Sequence, residues 1–356
     1  MLLYAGNLSE RELPRLRLIR WLGVFFLVTV AGGVLGVLAP HFEFTSAVEM
    51  LLPERWSNKG FIQSLVHPHA AQIHEVLGYE SPRPAAPFNY TNTWGYVLSL
   101  TLVWFVVGWW VYGGATRRLL TPLLLAVAVV LVVISLNRGT WLALVLIGAY
   151  IMVRLIAWGR LWALGVMCAA LAVGTIVFVV TPLHVLVAER LAHPHSNNRR
   201  IFTIVRTFEA STHSPVLGFG TTRTARGSAQ SIAIGESASC PRCGNPTLGS
   251  NGQLWLLLIS QGYTGVLLYV GFFTYLAARY WRDRTPLGVT GTLVLLLSLY
   301  YMLVYNAIVT PLSLTMLSLA LLWRNDIERK NQQRISAMQG AVARARARQR
   351  PAGETP

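Results

Sequence analysis

Charged residues are scarce in this sequence of 356 residues, of which only 12% are Asp, Glu, Lys or Arg while 54% are hydrophobic. A soluble domain normally carries about twice that share of charge. The composition therefore excludes an ordinary soluble globular protein and indicates that lipid is the solvent. Among the charged residues, only 14 are acidic against 30 Lys and Arg. The resulting formal net charge of +16 favours anionic partners.

Cysteine is also sparse, since three cysteines are too few for a disulfide framework. Cys168 lies within an apolar run and is expected to be a small packing residue. Cys240 and Cys243 form a single CxxC in "SCPRCGNP". Because zinc needs about four ligands, this pair predicts a local disulfide, with a zinc half-knuckle completed by a histidine as the alternative. We expect no metal site and no cofactor, and the sequence contains no P-loop or other nucleotide motif.

Long apolar runs dominate the rest of the chain. They are continuous and do not alternate with polar residues, which predicts transmembrane helices of roughly 20 residues each. Eight spans are predicted, at about 18–39, 94–114, 119–136, 140–157, 161–182, 252–278, 287–306 and 309–323. The last two could instead form one kinked hairpin broken at Pro311. The first run follows the basic flank "SERELPRLRLIR" and precedes Pro40, which predicts an uncleaved anchor and not a signal peptide.

The arginines predict the orientation of the chain. If the N terminus is cytoplasmic, every short inner segment carries arginine, as the positive-inside rule requires. These arginines are Arg11, Arg15, Arg17, Arg20, Arg117, Arg118, Arg154, Arg160, Arg279, Arg282 and Arg284. Both termini are then cytoplasmic, and the long segments 40–93 and 183–251 lie outside. The predicted fold is an all-α polytopic protein of the cell inner (plasma) membrane with a large, partly helical extracytoplasmic loop.

Three regions follow from this topology. Residues 1–17 form a cytoplasmic N-terminal segment, residues 18–323 form the transmembrane domain, and residues 324–356 form a basic cytoplasmic tail. We expect the tail to be disordered and held near the anionic headgroups of membrane lipids. Nucleic acid is the less favoured ligand for the arginines of this tail, so no nucleic-acid partner is expected.

Arg138 stands out because "VVISLNRGTWLALVL" places an Asn-Arg-Gly triplet between two apolar runs. An isolated arginine at a membrane boundary can simply extend its side chain towards the headgroups. Here Asn137 and Gly139 predict a tight turn between antiparallel helices, so the guanidinium is held on a short scaffold. A guanidinium held in this way is suited to bidentate phosphate binding.

The outer segment 183–251 adds more positive charge. Its arginines are Arg190, Arg199, Arg200, Arg206, Arg223, Arg226 and Arg242, against the acids Glu189, Glu209 and Glu236. This excess predicts an anionic ligand recruited from the outer leaflet, with a solvated basic loop as the alternative.

Within this segment, "NNRRIFTIVRTFEAS" predicts a short amphipathic helix capped by Asn197 or Asn198. Its apolar face would lie on the membrane through Ile201, Val205 and Phe208, while the arginines project elsewhere. The following "HSPVLGFGTT" predicts a turn in which Gly218 and Gly220 allow close approach of a ligand or simply a tight bend.

The order of these motifs resembles the O-antigen ligase and O-antigen polymerase superfamily of bacterial envelope glycosyltransferases. The relevant stretches are "RPAAPFNYTNTWGYVLSL", "SLNRGTWLAL", "NNRRIFTIVRTFEASTHSPVLGFGTT" and "GSNGQLWLLLISQGYTGVLLYV". The family shows an arginine-led entry to a span, an Arg-Gly turn after a span, a loop arginine before a Pro-x-x-Gly-x-Gly turn, and a His-Asn pair opening a helix. The resemblance covers about residues 80–280.

The resemblance implies roles for individual residues. Arg138 and Arg200, with Arg199 as the alternative to Arg200, are implied to bind the diphosphate of a polyprenyl-linked donor. Asn251 matches the Asn of the His-Asn pair, whereas Ser250 stands at the position of the histidine. Substrate binding is further assigned to Arg83, Asn92, Arg206, Gly218 and Gly220.

The implied reaction is transfer of a glycan from a polyprenyl-diphosphate-linked donor to a hydroxyl of a glycan or lipid acceptor at the outer face of the membrane. Guanidinium groups can stabilise the diphosphate leaving group without a metal. With Ser250 at the histidine position, His213 is the first candidate for the acceptor-activating group, and Glu209 and His195 are the others. A transporter or flippase of lipid-linked sugars and a catalytically inactive envelope scaffold are the two rival functions.

Overall fold

The computed structural model describes residues 1–57, 60–75, 79–181, 183–192, 195–223 and 247–349, which are mostly helical. In chain order the elements are α1 (Leu2–Asn7), α2 (Arg15–Leu38), α3 (Ala47–Leu51), α4 (Glu54–Ser57), α5 (Gly60–Val66), β1 (Ala71–Glu75), β2 (Glu80–Pro84), α6 (Thr91–Phe105), α7 (Ala115–Ile134), α8 (Arg138–Ala157), α9 (Trp162–Val180), α10 (Leu183–Ala192), α11 (His195–Ser211), α12 (Gln253–Tyr280), α13 (Pro286–Tyr301) and α14 (Thr310–Gln349). A π-helical segment, Val106–Val111, continues α6.

Among the described residues, five helices are long and apolar enough to cross a membrane. They are α2, α6 with its π-helical continuation, α7, α8 and α12. Helix α13 is apolar but shorter, and α9 and the first part of α14 coincide with the two remaining predicted spans. The predicted helical fold with helices of membrane-spanning length is confirmed, whereas the count of eight spans remains a prediction.

The helices form a bundle with two distinct ends. One end carries the connections around residues 39–90 and 183–252, and we call it the loop end. The opposite end, the terminal end, gathers the N-terminal segment and α14, where the Arg324 guanidinium donates a hydrogen bond to Glu10 Oε1 at 2.7 Å. Consecutive long helices run in alternating directions between the two ends, so the turn between α7 and α8 lies at the loop end.

Helix α6 occupies the centre of the bundle. Trp94 Nε1 donates to the main-chain carbonyl oxygen of Thr29 on α2 at 2.9 Å, and Trp104 Nε1 donates to Ser318 Oγ on α14 at 2.8 Å. These bonds satisfy indole N–H groups that lie in the buried core. Helix α6 therefore ties α2 to α14 and fixes its own first residue, Thr91, at the loop end.

The segment 40–93 contains a small β-hairpin that the sequence did not predict. Strands β1 and β2 pair antiparallel, with Gln72 opposite Arg83. The hairpin region packs closely on α2, because a Cβ at Gly32 would lie 2.2 Å from the carbonyl oxygen of Ala86. The two prolines of "ESPRP" weaken the strand signal, so only tertiary packing reveals it.

Helix α14 does not end at the predicted membrane boundary. It continues to Gln349, so the expected disordered tail from residue 324 is wrong for the described residues. Arg324, Asn325 and Asp326 are buried at the terminal end. Asp326 also forms an i,i+4 ion pair with Lys330 at 2.8 Å, which supports continuation of the helix.

Helix α11 begins earlier than predicted, and a row of hydroxyl residues packs it on the bundle. It starts at His195, so Asn197 and Asn198 lie inside its first turn and not at the residue before it. Its buried face is a row of hydroxyl residues, Thr203, Thr207 and Ser211. The predicted apolar face is exposed, with Ile201, Val205 and Phe208 at 61%, 49% and 45% exposure.

Helix α9 presents Cys168 on its exposed surface. The predicted packing role of this cysteine is therefore wrong. Among the described elements, α9 packs mainly on α8 and α10, so the rest of its surface faces away from the bundle.

Candidate functional site

The turn between α7 and α8 holds Arg138 at the loop end. Leu136 adopts a left-handed φ of 53°, which is uncommon for a residue with a side chain and reverses the chain within few residues. Asn137 then caps α8, since its Oδ1 accepts a hydrogen bond from the Thr140 N–H at 3.2 Å. Arg138 is the first residue of α8. It therefore stands at a helix N terminus, where the unpaired N–H groups favour an anion.

Gly139 and Tyr305 pack against each other behind this turn. A Cβ at position 139 would lie 2.5 Å from Tyr305 Oη, so only glycine leaves room for the ring. The Tyr305 hydroxyl donates to Asn137 Oδ1, and the Tyr300 hydroxyl donates to the carbonyl oxygen of Gly139 at 2.9 Å. The end of α13 and the connection that follows it therefore hold the backbone on both sides of Arg138.

Arg190 from α10 meets the same turn. Its Nε donates to the carbonyl oxygen of Leu136 at 3.2 Å, and Arg138 Nη2 donates to the carbonyl oxygen of Arg190 at 2.6 Å. Arg190 is buried, with 8% of its surface exposed. The two arginines thus join α10 to the α7–α8 turn and bring their guanidinium groups close together.

Arg83 and Arg200 complete the group. Arg83 is buried at the end of β2, and its Nε donates to the carbonyl oxygen of Ser135 at 2.7 Å. The Arg200 guanidinium, from α11, lies over the ring of Tyr305 with its Cζ 5.5 Å from the ring centroid. We call Arg83, Arg138, Arg190 and Arg200 the arginine cluster.

Positive charge is concentrated at the arginine cluster. Burial, together with the charges of Arg190 and Arg200, lowers the pKa of Arg83 to about 10. Burial and the charges of Arg138 and Arg200 lower the pKa of Arg190 to about 10. Both pKa values stay well above neutral pH, so these guanidinium groups are charged and repel one another. Binding an anion among them would relieve this repulsion.

Asn251 connects the arginine cluster to the start of α12. Its Nδ2 donates to Thr203 Oγ1 on α11, and Thr203 Oγ1 donates to the carbonyl oxygen of Arg200 at 2.9 Å. The Gln253 N–H donates to the carbonyl oxygen of Tyr305 at 3.1 Å. The predicted substrate residue Asn251 therefore lies where it positions the helix that carries Arg200. Asn92, also predicted, is half-buried in the first turn of α6.

Three other predicted site residues lie apart from these contacts. Arg206 is exposed, pairs with Glu209 Oε2 at 2.6 Å and lies over the ring of Phe202. His213 is exposed in the turn after α11, and among the described residues its imidazole forms no hydrogen bond or ion pair. Ser250 is exposed, and its hydroxyl donates to the carbonyl oxygen of Thr247 at 2.7 Å.

The predicted glycine turn docks on a break in α12. Gly262 has φ 64° and ψ −165°, which interrupts the helix. The Gly220 N–H donates to the carbonyl oxygen of Ser260 at 2.8 Å, and the Tyr263 N–H donates to the carbonyl oxygen of Pro215 at 2.7 Å. Gly218, with φ 65°, would place a Cβ 2.5 Å from α12 backbone nitrogens. The close approach that this turn permits is therefore to α12.

Part of the predicted site falls outside the described residues. Cys240 and Cys243 lie there, so the disulfide and the half-knuckle both remain predictions. His195 and Arg199 belong to α11, but the structure describes no position for their side chains. Within the described ranges, no group of three or more His, Cys, Asp or Glu side chains could hold a metal ion.

Two residues of the site were not singled out from the sequence. Arg190 appeared only as one of several arginines in a basic loop, and α10 also contains His184 and Glu189, so its sequence does not set Arg190 apart. The sequence does not single out Tyr305, because its role depends on a contact with Asn137, which lies 168 positions earlier in the chain.

Comparisons of the chain with protein-family models, with curated proteins and with solved structures give no match. Assignment of a function therefore rests on the arginine cluster and on the sequence motifs around it.

Proposed function

We propose that this protein transfers a glycan from a polyprenyl-diphosphate-linked donor to a hydroxyl of a glycan or lipid acceptor, in the manner of O-antigen ligases and polymerases. The observation that carries the proposal is the convergence of Arg83, Arg138, Arg190 and Arg200 beside the N terminus of α8. A diphosphate is the biological anion whose charge and oxygen geometry best match several guanidinium groups.

The setting of the arginine cluster suits a lipid-linked donor. The cluster lies at one end of a bundle of helices that are long and apolar enough to cross a membrane. The exposed apolar face of α11, formed by Ile201, Val205 and Phe208, would rest on the lipid surface next to Arg200. A polyprenyl chain could then remain in the bilayer while its diphosphate reaches the arginines.

In the proposed reaction the bond between the anomeric carbon and the diphosphate oxygen breaks, and the diphosphate leaves with the electron pair. The acceptor hydroxyl forms the new glycosidic bond and gives up its proton. Negative charge develops on the leaving oxygen, where fixed guanidinium groups stabilise it most in the transition state. The arginine cluster therefore supplies the main catalytic term, and no nucleotide is consumed.

The proton of the acceptor needs a base from the same loop end. His213 remains the first candidate for this base, because its exposed side chain lies in the turn that directly follows α11. Glu209 is a weaker candidate, since its ion pair with Arg206 already occupies one carboxylate oxygen. His195 is the third candidate, at the start of the helix that carries Arg200.

The proposed topology places the loop end outside the cell inner membrane and both termini in the cytoplasm. It is supported by the distribution of arginines, because Arg154, Arg160, Arg282 and Arg284 all lie at the terminal end. Eight spans in total, and the full O-antigen ligase-like assignment of residues 18–323, belong to this proposal.

The test is a reconstituted transfer assay. Purified protein in nanodiscs is incubated with a radiolabelled polyprenyl-diphosphate glycan and with candidate acceptors, and both the glycosylated acceptor and the released polyprenyl diphosphate are measured. We expect both products in equal amounts from the wild type and neither from a variant carrying Arg138→Ala and Arg200→Ala.

The same assay separates the two rival functions. A flippase in sealed vesicles would move the intact donor across the bilayer without releasing polyprenyl diphosphate. An inactive scaffold would bind donor and yield neither product. Movement of intact donor by the wild type, or donor binding without turnover across the acceptors tested, would contradict the proposal.

A further inference from the structure

An apolar crevice of about 390 Å³ lies near the terminal end, far from the arginine cluster. Its walls come from the end of α6, the π-helical segment Val106–Val111, α8 and α13. Leu102, Val107, Ile147, Ile151 and Leu293 line it, and its charged lining residues are Arg160 and Arg284. The crevice therefore combines an apolar channel with two cationic groups at its mouth.

The backbone fixes Arg160 at this mouth. Helix α8 ends in a Schellman turn, in which the Gly159 N–H donates to the carbonyl oxygen of Ile156 at 2.8 Å and the Arg160 N–H donates to that of Leu155 at 3.0 Å. Gly159 has the left-handed φ of 74° that this turn requires. Arg160 therefore stands at a defined place one residue beyond the turn, and its side chain is exposed.

Arg284 is fixed by the connection between α12 and α13. Asp283 Oδ1 accepts a hydrogen bond from the Thr285 N–H at 2.9 Å, and Thr285 Oγ1 caps α13 by accepting from the Gly288 N–H at 3.0 Å. Arg284 stands between these two residues, and its side chain is exposed.

Asp283, the acidic residue next to Arg284 in sequence, is engaged in other contacts. The carboxylate of Asp283 is buried and accepts a hydrogen bond from Asn325 Nδ2 at 2.9 Å. Arg154, on α8, donates to the carbonyl oxygens of Trp281 and Asp283 and so holds α8 against this connection. None of the ion pairs among the described residues includes Arg160 or Arg284.

We propose that this crevice is a binding site for an anionic phospholipid, with the headgroup phosphate on Arg160 and Arg284 and one acyl chain in the apolar channel. Charge complementarity selects this occupant, because an uncharged chain would not need two cations and a soluble phosphate would not need the channel. The bundle lies in lipid, so such a molecule has direct access from the side. The site is independent of glycan transfer.

Native mass spectrometry of the delipidated full-length protein tests the site. Phosphatidylglycerol and phosphatidylcholine with identical acyl chains are titrated separately, and inorganic phosphate is the third ligand. We expect phosphatidylglycerol to bind about thirtyfold more tightly than phosphatidylcholine, since the two basic residues contribute about 1 kcal/mol each near an anionic headgroup. Inorganic phosphate alone should not displace the lipid.

Variants separate the two halves of the site. Arg160→Gln with Arg284→Gln should bring phosphatidylglycerol binding down to the level of phosphatidylcholine, and the corresponding double lysine variant should keep most of the preference. Ile151→Trp fills the channel and should weaken both lipids. The matched control is Arg17→Gln with Arg20→Gln, which removes two exposed arginines from the same end of the bundle and should change nothing.

Several results would overturn the assignment. Equal binding of the two lipids by the wild type would show that the crevice binds lipid without selecting an anionic headgroup. An equal loss in the Arg17 and Arg20 control would make the effect one of total charge. Inorganic phosphate that binds as tightly as phosphatidylglycerol would mean that the crevice contributes nothing. Loss of the preference in the double lysine variant would contradict selection of the lipid by charge. A lower unfolding temperature of the double glutamine variant without lipid would show that the two arginines act in folding.

Discussion

Arg138 donates a hydrogen bond to the main-chain carbonyl oxygen of Arg190, with Nη2 and the oxygen 2.6 Å apart. In return Arg190 donates from its Nε to the carbonyl oxygen of Leu136, in the turn that precedes Arg138. Each arginine thus anchors the backbone near the other. A substitution at either position changes both the charge and the placement of the partner.

The first prediction concerns the geometry of Arg138. Arg138→Lys keeps the positive charge but has a single nitrogen, which cannot hold the Arg190 carbonyl and bind phosphate in a bidentate manner. We expect it to lose most of the transfer rate, and Arg138→Ala to lose about 10²–10³-fold while still inserting and folding. Donor binding and turnover are compared at equal expression, with Arg55→Ala, an exposed arginine of α4, as the control. Turnover of Arg138→Lys at the wild-type rate would show that Arg138 is only a membrane-surface anchor.

The second prediction concerns Gly139. A Cβ at this position would lie 2.5 Å from Tyr305 Oη, so Gly139→Ala should displace the ring and destabilise the folded protein by about 1–3 kcal/mol. In the same helix a Cβ at Gly148 would meet no atom within 4 Å, and Gly148→Ala should be neutral or slightly stabilising. Thermal unfolding in detergent distinguishes the two, and equal unfolding temperatures would refute the packing argument.

The third prediction concerns pH. The pKa values of Arg83 and Arg190 are about 10 in the folded protein, below the ordinary value of arginine. The unfolded chain therefore binds more protons above about pH 10, and these two groups raise stability as pH rises beyond that value. Anion affinity changes in the opposite direction, because positive charge is lost.

Sulfate competition against the donor checks this third prediction, since sulfate keeps its charge over the whole range. We expect its affinity to be constant between about pH 7 and pH 9 and to fall above about pH 10. A fall near pH 6.5 to 7 would instead implicate a histidine in anion binding.

The fourth prediction concerns Cys240 and Cys243, which lie outside the described residues. A single CxxC cannot complete a zinc site, so the double variant Cys240→Ser, Cys243→Ser should retain transfer activity, and a chelator should not inhibit the wild type. Complete loss of activity in the variant, with stoichiometric zinc in the wild type, would show the half-knuckle to be correct.

The fifth prediction concerns topology. In a variant without native cysteines, Thr222→Cys reports on the loop end and Arg282→Cys on the terminal end, and both positions are exposed. A membrane-impermeant maleimide added to intact cells should label only the first. Labelling of the second position alone would invert the proposed orientation.

Local sequence features predicted the elements whose causes are local. The apolar runs predict α2, α7, α8 and α12 to within a few residues, because length and hydropathy alone determine a membrane-spanning helix. The Asn-Arg-Gly triplet likewise predicts the turn between α7 and α8, whereas the cap of α8 by Asn137 was not predicted. The extension of α14 was missed, since a polar, arginine-rich stretch is equally compatible with disorder and with a helix continued from a packed one.

The arginine cluster could be predicted only in part. The choice of Arg138, Arg200 and Arg83 came from motifs, whereas the contribution of Arg190 and Tyr305 depends on how distant elements pack. Amphipathic periodicity correctly indicated an apolar face on α11, but it could not show that small hydroxyl residues such as Thr207 would form the buried side.

The break in α12 at Gly262 constrains how the loop end can move. Residues 215–220 bridge this break, because their backbone groups complete hydrogen bonds that the interrupted helix cannot make by itself. Separation of residues 215–220 from α12 would leave unsatisfied peptide groups on a helix long and apolar enough to lie in hydrocarbon. Each such group would cost several kcal/mol. If the proposed transfer of a glycan occurs, residues 215–220 should therefore remain in place as a fixed point while the donor and acceptor enter.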